Sequence, residues 1–244
     1  MSEKEETPSP LRPGTLYLVA TPIGNLEDIT LRAARVLREC DLALAEDTRR
    51  TGRLLKHLGV RKPMWSCHKF NEARRAQPLL RRLAEGARAA LVADAGTPGV
   101  SDPGERLVRA VLEAGFRVEP VPGPCALIAA LAASGLPTAE FHFIGFLPHK
   151  SGARRRELER LSALPGTLAI YESPYRIERL LEELAALMPD RFTVLARELT
   201  KRFEEFLRGA PAELLETFRT RKPKGEFVVM IAPAGWKAPA GLRS

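Results

Sequence analysis

Short apolar runs and longer amphipathic segments take turns along this chain. Leu16–Ala20 (LYLVA) is bounded by Gly14 and by Pro22–Gly24, the mark of a buried strand. Leu31–Glu39 then places Leu31, Ala34, Val36 and Leu37 at helical spacing. Leu42–Ala45 is a second short apolar run. Thr48 or Thr51 can cap the next helix, whose Leu54, Leu55 and Leu58 share a face before Gly59 stops it. Glu72–Glu85 reads as a charged amphipathic helix with Leu79, Leu80 and Leu83 inward. Ala89–Ala93 is a strand, Glu105–Glu113 a helix ended by Gly115, and Arg117–Val121 another strand. Strand and helix in strict alternation predict a parallel sheet covered on both faces.

After Gly135–Leu136–Pro137 the pattern loosens. Phe141–Phe146, Thr167–Tyr171, Phe192–Leu199 and Phe227–Ala232 read as strands, and Arg154–Leu164, Ile177–Leu187 and Ala212–Phe218 as helices. Without strict alternation this sheet is expected to be mixed. The fold class is therefore α/β, in two domains: residues 14–136 around a parallel sheet and residues 137–233 around a mixed one, with a hinge near 135–140. Residues 1–13 read as a disordered tail and 234–244 as a frayed one. No internal repeat is evident.

Composition narrows the chemistry. The 244 residues are 45% hydrophobic, enough for real cores, and carry 38 Lys and Arg against 30 Asp and Glu, a net charge of +8. That sign suits an anionic partner such as nucleic acid, or simply a basic enzyme. Cys40, Cys67 and Cys125 stand far apart and suggest no disulfide framework, which fits a reducing cytoplasm. The four histidines form no metal motif, so no metal site is expected. Neither a signal peptide nor a membrane span is visible, and no membrane partner is expected.

Glycine and proline gather just past the ends of the expected strands. Thr21-Pro-Ile-Gly-Asn25 follows the first, and Asp94-Ala-Gly-Thr-Pro-Gly99 follows Ala89–Ala93. Ser101-Asp-Pro-Gly104 opens a helix, and Pro122-Gly-Pro124 follows Arg117–Val121. Open α/β sheets bind ligands beyond the carboxyl ends of their strands, so three stiff loops on one edge make a candidate pocket lined by main chain. Any one of them alone is equally a plain turn. Neither G-x-G-x-x-G nor a phosphate loop is present.

The ordered set Thr21-Pro-Ile-Gly-Asn25, Glu46-Asp-Thr-Arg49, Asp94-Ala-Gly-Thr-Pro98, Ser101-Asp-Pro103, Pro122-Gly-Pro124, Tyr171-Glu-Ser-Pro174 and Lys224-Gly-Glu226 resembles the tetrapyrrole-methylase superfamily. Within it the set is similar to the ribosomal RNA small subunit methyltransferase I branch, over about residues 14–233. Tetrapyrrole-acting relatives carry a G-D-P loop where this chain has Asp94 to Pro98. The resemblance implies two α/β domains with S-adenosylmethionine in the interdomain cleft, a homodimer, and 2′-O-methylation of a cytidine in 16S rRNA within the 30S subunit. It implies cofactor contacts from Pro22, Gly24, Asp94, Ala95, Gly96, Thr97, Pro98, Ser101, Gly123, Pro124, Ala126, Tyr171, Glu172 and Gly225. A tetrapyrrole or diphthine-type methyltransferase on the same scaffold is the alternative, and a basic ribosome-binding protein without catalysis is another.

For a 2′-hydroxyl nucleophile a base or a charge-stabilising donor is expected nearby. Asp47 or Glu72 can take the proton, Lys69 or Arg49 can hold a phosphate or lower the hydroxyl's pKa, and His68 can serve as base. Each has a structural alternative: Glu46–Asp47 capping a helix, Glu72 in a surface ion pair, His68 an ordinary loop residue. Arg49, Arg50 and Arg53, Arg74 and Arg75, Arg81 and Arg82, and Arg154 to Arg156 are candidate phosphate contacts, and Phe70, Tyr175 and Phe146 candidate stacking platforms.

Overall fold

The computed structural model describes residues 10–242 and divides into two compact units, Met1–Pro124 and Cys125–Ser244. The expected tail at 1–13 lies outside the described residues up to position 9. Beyond that it differs from expectation: Leu11 is buried in the first unit's core, and Arg12 N donates to Tyr17 Oη at 2.7 Å.

The first unit runs β1 (Thr15–Val19), α1 (Leu31–Glu39), β2 (Leu42–Ala45), α2 (Thr48–His57), β3 (Met64–Ser66), α3 (Glu72–Ala84), β4 (Arg88–Val92), α4 (Glu105–Glu113) and β5 (Arg117–Val121). All five strands are parallel, in the order β3-β2-β4-β1-β5. Both faces are covered, which is why the strands read as continuous apolar runs. Tyr17, Val19, Ala45 and Val92 pack against Val36 and Leu37 of α1 and Leu54 and Leu55 of α2. Leu16, Leu42, Leu44 and Leu91 pack the other way, against Leu79 and Leu83 of α3 and Leu107 and Val111 of α4. Thr30 caps α1 by accepting from Ala33 N at 3.1 Å. The cap of α2 is Asp47 rather than Thr48 or Thr51, its Oδ1 accepting from Arg49 N at 2.8 Å.

The second unit runs α5 (Ala126–Ser134), β6 (Phe141–Phe146), α6 (Ser151–Ser162), β7 (Thr167–Glu172), α7 (Ile177–Leu187), β8 (Thr193–Arg197), β9 (Glu205–Gly209), α8 (Pro211–Thr220) and β10 (Phe227–Ile231). Its sheet, β6-β7-β10-β8-β9, is mixed: β6 and β7 are parallel and the remaining pairs antiparallel. The units part at Pro124, not at residue 136, because α5 packs on β10 and β8. The stretch after Pro233 is not frayed as far as residue 242. The Trp236 ring lies 5.8 Å from that of Phe192, and Leu242 packs against Gly135. Among the described residues no helix is long and apolar enough to cross a membrane.

The expected phosphate contact Arg154 is instead buried between α6 and α7. Its guanidinium donates to Glu183 Oε2 at 2.6 Å and Oε1 at 2.8 Å, and Ser151 Oγ adds a bond to the same carboxylate. Breaking such a pair strands a charge away from water. Glu183→Ala should cost about 3–5 kcal/mol in denaturant unfolding, while Arg154→Met with Glu183→Leu should recover most of that. Equal losses from the single and double variants would contradict this account.

Candidate functional site

The connection after β1 leads to α1 on one face of the parallel sheet, and that after β4 leads to α4 on the other. Because β1 and β4 are neighbours whose helices lie on opposite faces, their carboxyl ends form a topological switch point, the place where open α/β sheets carry a ligand crevice. Two reciprocal bonds staple its floor, Thr21 N to Gly96 O and Gly96 N to Thr21 O, both 2.9 Å. Thr21 Oγ1 donates to Ala93 O at 3.2 Å, and Thr97 Oγ1 to Pro124 O at 3.3 Å, which adds the loop after β5. Gly96 holds φ +81°, and a Cβ at Gly123 would lie 2.9 Å from that of Ala20. Backbone can come this close only without side chains. The first unit thus gathers Pro22, Gly24, Asp94 to Pro98, Ser101, Gly123 and Pro124 on one rim.

Asp94 stands where the rim turns toward β2. Its Oδ1 accepts from Asp47 N at 2.9 Å, and its Oδ2 lies 3.5 Å from Arg50 Nε. Two further carboxyls feel its charge. Burial, with Asp94 adding to it, raises the pKa of Glu46 against the pull of Arg50, His68 and Lys69. Burial, with Glu46 and then Asp94 adding to it, pushes Asp102 up to about 7. A protein of net charge +8 has therefore concentrated three acids at one sheet edge.

A family model described as tetrapyrrole (corrin/porphyrin) methylases matches residues 15–215. The chain belongs to that family. Proteins named ribosomal RNA small subunit methyltransferase I are among its similar relatives. The one from Pseudomonas aeruginosa is 50% identical over 95% of this chain and 82% of its own length. The one from Escherichia coli O157:H7 is 50% identical over 89% of this chain and 77% of its own. Among solved structures, uroporphyrin-III C-methyltransferase from Thermus thermophilus, complexed with S-adenyl homocysteine, matches with TM-score 0.62 at 22% identity, covering 89% and 97% of the two chains. Diphthine synthase matches with TM-score 0.68 at 16% identity, covering 90% of each. At such identities these two structures support the methylase fold alone.

On this methylase scaffold the expected proton acceptors are otherwise occupied. Asp47 binds Arg49 through backbone N, Nε and Nη2 at 2.8, 3.0 and 2.7 Å, and these contacts hold its carboxyl well below the usual range. Glu72 is 5% exposed, and its Oε1 accepts from Leu107 N at 2.7 Å, in the first turn of α4. Asp47 thus caps α2 and Glu72 anchors the start of α4, and among the described residues Glu72 makes no surface ion pair. Lys69 and Arg49 stay exposed, though Arg49 is tied to Asp47. His68 Nδ1 accepts from Phe70 N at 3.3 Å.

In the second unit, Leu127 N donates to Tyr171 Oη at 3.1 Å, next to Ala126 at the start of α5, and the Tyr171 ring meets Phe143 and Phe146 edge-on. The Glu172 carboxyl does not face outward. It is 2% exposed, accepts from Ser173 N at 2.8 Å and lies 3.2 Å from Arg176 Nη2. Gly225 is explained by packing, since a Cβ there would overlap Glu198. The sequence reading missed Glu46 and Asp102 as chemically distinctive. Both lie inside the Glu46-Asp-Thr-Arg49 and Ser101-Asp-Pro103 motifs, but their burial is a tertiary fact. Among the described residues no three His, Cys, Asp or Glu are arranged to hold a metal ion.

Asp102 makes stability depend on pH. The folded form keeps its proton up to about 7, while an ordinary aspartate loses it near 3.8, so folding takes up a proton between those values. Stability from this group is therefore highest at low pH and falls as pH rises through that window. Asp102→Asn should lose less thermal stability than the parent between pH 5 and pH 8. Melting temperatures that fall in parallel for the two proteins would refute it.

Proposed function

We propose that this protein transfers the methyl group of S-adenosylmethionine to the ribose 2′-hydroxyl of a cytidine in 16S rRNA, within the 30S subunit, as a cytoplasmic homodimer. The observation that carries the reading is identity of 44 to 50% with proteins named ribosomal RNA small subunit methyltransferase I across about nine-tenths of the chain. The fold and the stapled rim are consistent with it.

The residues present suit this donor. When bound, S-adenosylmethionine supplies an electrophilic methyl on a sulfonium, passed on by in-line displacement. Sulfonium and ammonium both call for nearby negative charge, and Glu46, Asp94 and Asp102 provide it. Gly96 and Gly123 let the loops after β4 and β5 close against Thr21 and Ala20, which fixes the shape of the rim for a flat, polar ligand. We assign the donor to Pro22, Gly24, Asp94 to Pro98, Ser101, Gly123 and Pro124 of the first unit. Lys69, whose charge reaches Glu46, would meet a ribose phosphate or the developing oxyanion. Alignment of hydroxyl, methyl and sulfur is the larger service such a rigid rim performs.

Methyl-labelled donor should put label into 16S rRNA of 30S subunits, at a linkage that then resists alkali, and should label naked RNA less well. Label only in a tetrapyrrole or in an elongation factor would overturn the proposal. A cation held beside Asp102 should also pull its pKa down. Donor binding at pH 7 should therefore release a fraction of a proton, read as a buffer-dependent calorimetric enthalpy that vanishes in Asp102→Asn. Buffer-independent heats in the parent would remove the acids from the donor site.

A further inference from the structure

Phe70 is a large apolar side chain left 83% exposed, in the short loop between β3 and α3. An exposed phenylalanine on a floppy loop would mean little. This loop is held from both ends. Asn71 Oδ1 accepts from His68 N at 2.8 Å, and Asn71 Nδ2 donates to Ser66 O at 3.2 Å. Arg75 Nε donates to the same Ser66 O at 2.8 Å. His68 O receives both Asn71 N and Glu72 N at 2.9 Å, and Glu72 is anchored on α4. The backbone of Phe70 is thus fixed before any partner arrives, which lowers the ordering cost of binding.

Its surroundings choose the partner. Lys69 Nζ lies 4.9 Å from the Phe70 ring centroid, and His68 packs edge-on at 6.1 Å. His68 and Lys69 also act on Glu46, so the loop stands beside the acid cluster. β3 neighbours β2, whose following helix brings Arg49, Arg50 and Arg53, and α3 adds the exposed Arg74. A rigid exposed aromatic ring among cations is the combination that binds unpaired nucleic acid, ring against base and cation against phosphate. An apolar contact with another protein surface would not call for so many positive charges.

We propose that Phe70 stacks on an unpaired nucleobase of the RNA substrate while Lys69 contacts that nucleotide's phosphate, making Phe70 a positioning residue for methyl transfer. The inference rests on the RNA-methyltransferase reading above. It also separates the roles of the loop: His68 and Asn71 set its shape, and Phe70 and Lys69 use it.

The test compares Phe70→Ala, Phe70→Leu and Phe70→Trp with the parent in steady-state methylation of 30S subunits, in calorimetry with S-adenosylmethionine, and in sedimentation. Phe70→Ala should raise KM for the subunit about tenfold or more, in line with the loss of one base–aromatic contact. Its kcat and its donor affinity should stay within about twofold. Phe70→Trp should restore KM, and Phe70→Leu, which keeps apolar area but no π-face, should not. An unchanged KM in Phe70→Ala, or full activity in Phe70→Leu, overturns the proposal while leaving the RNA reading intact. A changed oligomeric state in Phe70→Ala assigns the ring to contact between copies and overturns it too. If the parent methylates no RNA at all, the RNA reading itself fails and takes the proposal with it.

Discussion

Strand β4 lies between β1 and β2, and its chain leaves the sheet toward one face while theirs leave toward the other. Right-handed crossovers impose this, because the chain moves one way along the sheet from β1 to β3 and the other way from β3 to β5. The crevice at the end of β4 follows from connectivity alone, before any side chain is chosen. Side chains then decide what fills it. Thr21 and Gly96 close the backbone hydrogen bonds across one side, and Asp94 takes the Asp47 amide across the other. Each bond contributes only about 1 kcal/mol, yet together they turn three divergent loops into one fixed rim.

Much of this was legible in the sequence. α1, β2, α4, β5, β6 and α7 have the residue bounds that periodicity assigns them, and the mixed second sheet followed from the broken alternation. α5 escaped because Ala126–Ser134 (ALIAALAAS) is apolar on every side. With no polar face it has no helical period to detect, and it belongs to a second unit whose start its own pattern does not mark. β9 escaped because Glu205–Gly209 is a short edge strand carrying charge, a usual guard on exposed edges.

The loops of the candidate site were legible in the sequence as glycine- and proline-rich turns, and its charges were not. Glu72 begins a helix followed by arginines, and spacing alone made it an ion-pair partner or a base. What decides its role is the packing of α3 on α4, which brings Leu107 N to its carboxylate. Asp47 resolved toward the capping alternative because it precedes α2 in an extended conformation, from which its carboxylate accepts the Arg49 amide, and the Arg49 side chain pairs with the same group. Asp102 looked like the start of a helix in a Ser-Asp-Pro-Gly turn. Gly104, at φ +136° and with no room for a Cβ beside Leu91, draws that turn down onto the sheet.

If the donor binds where we propose, opposite electrostatic demands meet at this rim. A methyl donor bearing two positive groups needs carboxylates, and RNA needs cations. In water the two sets would neutralise each other at contact distance. Burial separates them here. Glu46 and Asp102 are partly withdrawn from solvent, where charge acts over longer range, while Lys69, Arg49 and Arg74 stand in solvent and are screened within about 10 Å. The net charge of +8 can therefore draw a polyanion to the surface without cancelling the local negative field. Keeping Asp102 partly protonated at neutral pH serves the same end, since the apo rim then carries less self-repulsion than three full charges would create.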